Sequence, residues 1–328
     1  MSSFKCEVVQ IRAILPHPNA DNLELAMVKD WTVAVKKATY KEGDKVIHVP
    51  IDAVLPLELS DKIGITAYLS RQRVRTAKIR GLYSQGLIID IGIVGADTEI
   101  GTDVSAVLGI TKYEPPIPAD LIGEVRAYDS RFKEYTQIEH IENYAGILAG
   151  LDDDVVVTEK VHGVNARFGR FDSDFFVGSH TLSLKESDSN LYWRAFNQYK
   201  MREIVQEDMI VYGEIYGSGV QKLNYGLSRD VIGFVVFDIC RDSRYLNWND
   251  IVAFCKSTGL AVVPELYRGR WTTDVLKLTG GKTAMAGDNI REGIVIRPET
   301  ERYDLSAGRV IFKSVNKAFL IKDYGDLR

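Results

Sequence analysis

Cysteine is scarce in this chain, which has three in 328 residues: Cys6, Cys240 and Cys255. Three thiols so far apart cannot form a disulfide framework, and none of their spacings is typical of a structural zinc site. The sequence therefore excludes the disulfide-stapled and zinc-finger classes. We expect all three side chains to be reduced thiols in the core or near the surface.

Long apolar runs are also missing. No stretch has the roughly 20 consecutive apolar residues of a membrane-spanning helix, and the start of the chain lacks the apolar core of a signal peptide. We therefore expect an intracellular protein without a membrane partner, in the cytoplasm or, if the chain is viral, in the host cytoplasm. The sequence indicates no obligate protein partner.

The chain also has no excess of positive charge. The chain has 41 Lys and Arg against 45 Asp and Glu, which gives a formal net charge of -4 at pH 7. A protein that coats nucleic acid indiscriminately would be basic, so that class is excluded, although a local basic surface can still bind phosphates. The composition, 45% hydrophobic and 26% charged, is ordinary for a globular protein.

Short apolar segments with strand-like character follow one another up to about residue 112. Turn signals such as those at 16–21 and 42–44 separate them, and this spacing predicts a small β-barrel. Residues 17–26 also resemble the opening of tRNA-binding oligonucleotide-binding (OB) barrels.

A proline cluster follows the strand-like segments. Pro115, Pro116 and Pro118 stiffen the chain and remove backbone donors, which predicts a linker. The length is typical of about two domains. We therefore predict three parts, listed as an OB-like RNA-binding domain at 1–112, a linker at 113–124 and a catalytic domain at 125–328.

Lys160 stands at the end of an apolar run and directly before a turn. Burial of a lysine at a strand end favours its neutral, nucleophilic form, so Lys160 is a candidate for covalent catalysis; the alternative is a surface lysine. Four further apolar runs downstream each carry a charged or aromatic residue: Glu214, Phe237, Glu292 and Lys313. This order of lysine, carboxylate, aromatic, carboxylate and lysine favours the catalytic interpretation.

These five motifs resemble those of the covalent nucleotidyltransferases, the superfamily of ATP-dependent ligases and capping enzymes. The segment 217–226 narrows the resemblance to RNA ligases. Taken whole, the chain resembles the RNA ligase family typified by the Deinococcus and Naegleria enzymes, in which an OB barrel precedes the nucleotidyltransferase domain. The resemblance implies an α+β fold: an N-terminal OB-like β-barrel and a C-terminal nucleotidyltransferase domain with antiparallel sheets and flanking helices.

The resemblance also implies roles for single residues around ATP. Lys160 would carry AMP, Lys313 would contact the α-phosphate, and Phe237 would stack on adenine, with a core phenylalanine as the alternative. Glu159 would accept a hydrogen bond from the adenine amino group, and Asn165 would lie near the AMP phosphate.

Glu214 and Glu292 are implied to act at the ribose and at a metal ion. Each stands at one end of an apolar run, where an unpaired carboxylate would be costly to bury. Their hard oxygen ligands suit Mg²⁺ or Mn²⁺. A structural salt bridge is the alternative for each.

Three positions depart from the family pattern. His162 stands where many members of the superfamily have aspartate, and a neutral imidazole carries no negative charge. His180 follows Ser179 where relatives have arginine, with Arg167 as a possible substitute, and Ile311 replaces a lysine found in several relatives.

The densest basic run is 71–80. If it is extended, Arg71, Arg73 and Arg75 share one face and could follow a phosphate backbone; a solvated face is the alternative. Lys222 is a further candidate for RNA contact.

We therefore expect an ATP-dependent RNA ligase that joins 3′-hydroxyl and 5′-phosphate RNA ends through a lysyl-AMP intermediate. Its substrates would be nicks in duplex RNA or in hybrids. The alternatives are a capping-type guanylyltransferase, a DNA ligase of the same superfamily, and a non-catalytic RNA-binding protein.

Overall fold

The computed structural model describes residues 4–29, 31–113, 124–127, 129–217, 219–305 and 307–321. The chain divides into two compact units, Met1–Pro116 and Ile117–Arg328. The predicted linker at 113–124 lies almost wholly outside the described residues. No helix among the described residues is long and apolar enough to cross a membrane.

The first unit is built mainly from short antiparallel strands. Its elements are β1 (Glu7–Pro16), β2 (Leu23–Val28), β3 (Trp31–Lys36), β4 (Lys45–Val49), β5 (Ala53–Val54), α1 (Leu57–Lys62), β6 (Ala77–Ile79), β7 (Leu82–Ser84), β8 (Leu87–Asp90) and β9 (Thr111–Lys112). Five of the strands form one sheet in the order β3-β2-β1-β4-β8.

Strand β1 explains how this sheet curls. Its first half pairs with β4 and its second half pairs with β2, and the register shifts between Ile11 and Ala13. A bulge of this kind bends a strand and increases its twist. Alternate residues of β3, namely Trp31, Val33 and Val35, are buried, as the period of two in a half-buried strand requires. The unit is a curled antiparallel sheet of the OB type, as the sequence predicts.

The described residues of the second unit form two larger sheets and five α-helices. Its strands are β10 (Glu139–His140), β11 (Val155–Lys160), β12 (Val164–Phe171), β13 (Asp174–Gly178), β14 (Ser183–Leu184), β15 (Met209–Gly217), β16 (Ile232–Arg241), β17 (Arg244–Tyr245), β18 (Glu265–Gly269), β19 (Gly293–Pro298), β20 (Tyr303–Asp304), β21 (Gly308–Arg309) and β22 (Phe312–Val315). Its helices are α2 (Ala145–Ala149), α3 (Leu191–Gln198), α4 (Met201–Ile204), α5 (Trp248–Thr258) and α6 (Lys317–Ile321).

The sheets of this unit have five and six strands. The five-stranded sheet has the order β10-β22-β19-β11-β18, and the six-stranded sheet has the order β14-β13-β12-β15-β16-β17. All neighbouring strands in these sheets are antiparallel except β10 and β22, which are parallel. The α+β class predicted from the sequence is therefore confirmed.

The helical region at 189–206 contains two helices. Asn190 caps α3, because its side-chain oxygen accepts hydrogen bonds from the backbone N–H groups of Tyr192 and Trp193. The chain then breaks at Lys200, whose φ of 51° is left-handed, before α4 begins. Helix α5 is followed by Gly259 with a φ of 74°, a conformation that glycine adopts without strain.

All three cysteines are free and buried. Burial raises the pKa of Cys6 to about 12, that of Cys240 to about 11 and that of Cys255 to about 12. The expectation of reduced core thiols agrees with this placement.

Candidate active site

A cavity of about 220 Å³ lies in the second unit, where strands of both large sheets contribute to its wall. Its lining residues are Tyr135, Ile138, Thr158, Glu159, Lys160, Val161, Asn165, Glu214, Phe237, Trp248, Val263, Val295, Arg297 and Ile311. Five of the predicted site residues therefore meet at one place, although up to 78 positions separate them in the sequence.

Strand β11 delivers Lys160 to this cavity. Val155, Val156 and Val157 are fully buried, which fixes the strand, and Lys160 is its last residue. On the neighbouring strand β19, Gly293 lies opposite Lys160. A Cβ atom at Gly293 would lie 2.3 Å from the backbone oxygen of Ser314, so only glycine allows β19 to approach β22 this closely.

Glu292 is the immediate partner of Lys160. The lysine Nζ lies 2.5 Å from Glu292 Oε1, and His162 Nδ1 lies 3.5 Å from Glu292 Oε2. Burial raises the pKa of Glu292, but the charge of Lys160 and the hydrogen bond from His162 outweigh burial and leave this pKa below its ordinary value. Glu292 is therefore ionised at neutral pH.

Glu214 has the opposite electrostatic character. Burial raises its pKa to about 8, and the nearby Glu292 carboxylate adds to the rise, although Lys160 opposes it. Glu214 Oε1 accepts a hydrogen bond of 3.1 Å from the backbone N–H of Gly163. The Glu292 carboxylate thus affects the ionisation of Glu214, which lines the cavity.

Asn165 lies directly opposite Glu214 on the neighbouring strand. Its side-chain oxygen is buried and has no hydrogen-bond partner within the described structure. A buried acceptor without a partner is costly unless a ligand supplies the donor or the cation. Asn165 is therefore placed to bind something that enters the cavity.

These oxygen atoms fit a hard divalent cation. Carboxylate oxygens are the ligands that such a cation prefers, and both Glu214 and Glu292 lie within electrostatic reach of Lys160. Among the described residues, no group of three or more His, Cys, Asp and Glu is arranged to hold a metal. The protein thus offers two carboxylates, and the remaining ligands would come from water or substrate, as Mg²⁺ prefers.

Phe237 lies at the cavity in front of a second aromatic residue. It is half-buried, and its ring meets that of Tyr135 edge to face with centroids 4.8 Å apart. A half-buried flat ring in the wall of a cavity is placed to stack on a nucleobase.

A buried network of charges, which we call the Asp238 cluster, lies behind this pair. Asp238 Oδ2 accepts hydrogen bonds from Tyr135, Arg297 and Arg309 at 2.7, 3.1 and 2.7 Å, and both arginines also bind Glu301. Burial, followed by the charge of Asp238, raises the pKa of Tyr135 well above its usual value, so its hydroxyl stays a donor. The sequence analysis missed this cluster, although a charge inside the apolar run of β16 was a usable signal.

Lys313 lies on β22, beside His140 of the short strand β10. Burial, with the charges of Lys313 and Lys160, lowers the pKa of His140 well below its usual value. This imidazole is therefore neutral and is within electrostatic reach of both lysines. Sequence reasoning missed His140, because only the parallel pairing of β10 and β22 brings it to the site.

Glu159 is among the residues that line the cavity, and its predicted adenine contact stays a prediction. Its carboxylate is only 1% exposed. Its two oxygens accept hydrogen bonds from the Thr283 hydroxyl at 2.5 Å and the Ala284 backbone N–H at 2.6 Å. The carboxylate is thus occupied by protein partners, and the backbone geometry of β11 turns it away from the Lys160 side of the strand.

Arg167 is also placed differently from its predicted RNA-contacting role. It is 1% exposed, and its guanidinium donates hydrogen bonds to the backbone oxygens of Ser179 and Phe132. A guanidinium enclosed in this way supports the fold and cannot reach a phosphate backbone. Lys222, in contrast, is exposed.

The basic run of the first unit is not extended. Arg71 and Gln72 have φ values of 54° and 59°, which are left-handed, so the alternation that would align Arg71, Arg73 and Arg75 is interrupted. Arg73 binds Asp52 at 2.7 Å and stacks on the Tyr113 ring at 3.8 Å. Arg71 and Arg75 remain exposed, but the predicted common face does not form.

Comparisons with known proteins agree with this arrangement. Residues 153–315 match the family model for RNA ligase, and residues 6–91 match a model for an OB-fold domain. A search of curated proteins found no match.

Similar solved structures cover almost the whole chain. Naegleria gruberi RNA ligase with PPi is 25% identical, covers 99% of this chain and 100% of its own, and has a TM-score of 0.85. A lysine-to-methionine mutant of that ligase with AMP and Mn is 26% identical, with coverage of 98% and 99% and a TM-score of 0.85. A lysine-to-alanine mutant with ATP and Mn is 26% identical, with coverage of 96% and 98% and a TM-score of 0.84.

Proposed function

We propose that this chain, which belongs to the RNA ligase family and has the fold of an ATP-dependent RNA ligase, joins 3′-hydroxyl and 5′-phosphate RNA ends through a lysyl-AMP intermediate. The observation that carries this proposal is the position of Lys160. It ends a buried strand in a cavity that is also lined by Phe237 and Glu214, and its amine contacts Glu292. The similar ligase structures were determined with ATP, AMP or PPi, which are the substrate, the transferred group and the product of such a first step.

In the first step, the Lys160 amine attacks the α-phosphorus of ATP. An N–P bond forms, the bond to the bridging oxygen of the β-phosphate breaks, and pyrophosphate leaves. Phe237 would stack on adenine, and the Asn165 region would face the phosphate. Lys313 would neutralise charge that develops on the α-phosphate oxygens.

The lysine must lose a proton before it can attack. In the structure Glu292 holds the Lys160 ammonium at 2.5 Å, so this ion pair has to loosen first. Glu214 and Glu292 would hold a divalent cation, Mg²⁺ or Mn²⁺, which would supply positive charge to the phosphate oxygens. Neutral His140 lies close enough to affect both lysines without adding positive charge.

The two later steps use the same lysine. An oxygen of the RNA 5′-phosphate attacks the phosphorus of lysyl-AMP, which releases the amine and forms a pyrophosphate-linked RNA adenylate. The 3′-hydroxyl of the neighbouring end then attacks the RNA phosphate, and AMP leaves as the phosphodiester forms. Nicked duplex RNA, or RNA in a hybrid, presents both ends side by side, which lowers the entropic cost of bringing them together.

Incubation with ATP labelled at the α-phosphate and Mn²⁺ tests the first step. We expect a covalent protein-AMP adduct that survives denaturation in SDS with the unmodified chain, and none with Lys160→Ala. Lys256→Ala, which changes an exposed lysine on α5, is the matched control and should label normally. Labelling of Lys160→Ala at the normal rate would disprove this mechanism.

The same assay separates the alternative functions. Labelling by GTP and not by ATP would indicate a capping-type enzyme, and equal sealing of all-DNA nicks would indicate a DNA ligase. RNA binding without any adduct would indicate a non-catalytic binding protein. The match of residues 153–315 to the RNA ligase family favours the ligase.

A further inference from the structure

Residues 281–291, which we call the strap, form a short hairpin-like segment directly before Glu292 and β19. The backbone N–H of Thr283 donates to the oxygen of Asn289 at 3.0 Å, and that of Arg291 donates to the oxygen of Gly281 at 2.9 Å. Lys282 and Ile290 form a β-bridge between its two arms. The strap therefore has a defined conformation of its own.

Glu159 binds the strap through its whole carboxylate. Besides the hydrogen bonds from Thr283 and Ala284, Arg291 Nε lies 3.6 Å from Glu159 Oε2. The Thr283 oxygen also accepts a hydrogen bond of 3.0 Å from the backbone N–H of Met285. One threonine hydroxyl therefore joins the tip of the strap to the residue that precedes Lys160.

The tip of the strap also lies against residues 225 and 226, which contact the chain just after Lys160. A Cβ atom at Gly226 would lie 3.1 Å from the Cβ of Ala286, so the two segments are in close contact. The neighbouring Tyr225 hydroxyl accepts a hydrogen bond of 2.7 Å from the backbone N–H of His162. The chain is thus held at Glu159 and at His162, on either side of Lys160.

We propose that Glu159 and Thr283 are positioning residues, which lock the strap against the end of β11 and so fix the direction in which Lys160 leaves the strand. The inference rests on the proposed lysyl-AMP function, and it assigns Glu159 a partner within the protein instead of the adenine amino group. Displacement of a nucleophile by a fraction of an ångström lowers the rate of an oriented reaction steeply. The consequence is slower attack by Lys160, with the choice of base unchanged.

The alternative is that Glu159 reads the adenine base. To accept a hydrogen bond from adenine, the carboxylate would have to leave a site where it is 1% exposed and give up contacts with Thr283, Ala284 and Arg291. The two roles predict different behaviour with purine riboside triphosphate, which lacks the 6-amino group of ATP. Reading the amino group predicts discrimination between the two nucleotides that depends on Glu159.

The experiment measures single-turnover formation of the protein-nucleotide adduct at saturating ATP and at saturating purine riboside triphosphate. Thr283→Val removes the hydroxyl while keeping the volume, and we expect it to slow the reaction about 10-fold with both nucleotides. Thr283→Ser should restore the rate. Thr258→Val is the matched control, because that hydroxyl donates to the backbone oxygen of Phe254 at the end of α5.

Two outcomes would overturn the proposal. One is a normal rate for Thr283→Val. The other is a strong preference of the unmodified enzyme for ATP over purine riboside triphosphate that disappears in Glu159→Gln.

Hydrogen exchange at the Ala284 amide gives a readout that does not depend on activity. We expect protection in the unmodified chain and fast exchange in Glu159→Leu, because that side chain offers the amide no acceptor. If no adduct forms with any nucleotide, the proposed function fails. Hydrogen exchange still tests, independently of activity, whether Glu159 binds the Ala284 amide. Fast exchange in the unmodified chain would refute the lock itself.

Discussion

At the scale of single residues, Glu214 and Glu292 show how two buried carboxyl groups near one lysine acquire opposite electrostatic character. Glu292 has a cation and an imidazole within 3.5 Å, which keep it ionised. Glu214 has one backbone donor and a second carboxylate nearby, so burial dominates. A pair whose pKa values are pushed apart in this way is typical of a functional site.

Glu214 gives the fold a dependence on pH. Folding raises its pKa from 4.5 to about 8, so the protonated form is favoured in the folded state, and the free energy of unfolding falls as the pH rises between those two values. Glu214→Gln removes this titration and keeps an oxygen that accepts from Gly163. We expect a melting temperature close to that of the unmodified chain at pH 5 and above it at pH 9.

Thermal unfolding across this pH range measures the effect. A difference of about 2–4 °C corresponds to each kcal/mol in a unit of this size. Glu203→Gln, an exposed carboxyl on α4, is the control and should leave the curve unchanged. An equal difference at pH 5 and pH 9 would contradict the assignment.

At the scale of secondary-structure elements, the site depends on how closely β11, β19 and β22 approach one another. Gly293 allows this approach. The register pairs Lys160 with Gly293, and this pairing brings the preceding residue, Glu292, within reach of Lys160. The ion pair and the strand spacing are therefore a single feature.

Gly293→Ala tests this dependence. The added Cβ would lie 2.3 Å from the Ser314 oxygen, so β19 and β22 must separate, at a cost of about 1–3 kcal/mol or more. We expect a lower melting temperature together with slower adduct formation. Gly146→Ala on α2, where the added Cβ meets no atom within 4 Å, should be neutral or stabilising. Unchanged stability of Gly293→Ala would disprove the spacing argument.

The elements were predicted well where local pattern decides them. The apolar run before Lys160 predicted β11, because a strand of this kind needs only apolar side chains to bury. The break at Lys200 and the left-handed Arg71 and Gln72 were not predicted, because a positive φ at residues other than glycine reflects tertiary contacts.

The site was predicted less completely than the elements. Lys160, Glu214, Phe237 and Asn165 do line one cavity. The partners of Glu159 and the position of His140 depend on a loop and on a parallel strand pair, which have no signature in the sequence.

At the scale of the whole catalytic unit, the Asp238 cluster joins the two large sheets. Asp238 belongs to β16 of the six-stranded sheet, and Arg297 belongs to β19 of the five-stranded sheet. Arg297 and Arg309 are 2% exposed, so neither can exchange its partner for water. The stability of the unit should therefore depend strongly on a single carboxylate.

Asp238→Asn removes that charge with little change in shape. Since loss of one partner leaves buried charges uncompensated, we expect a loss of about 3–5 kcal/mol in the free energy of unfolding. Denaturant unfolding measures it. Asp174→Asn is the control, because its pair with Arg126 is largely exposed and should contribute less than about 1 kcal/mol. Equal effects of the two substitutions would contradict the role of the cluster.

The buried cysteines have a practical consequence for spectroscopy. Thiolates are the reactive form, and burial keeps Cys6, Cys240 and Cys255 protonated and out of contact with solvent. A cysteine introduced at an exposed site would therefore react with a maleimide dye or a spin label while the native thiols stay unmodified. The natural chain can thus serve directly as the background for site-specific labelling in its native state.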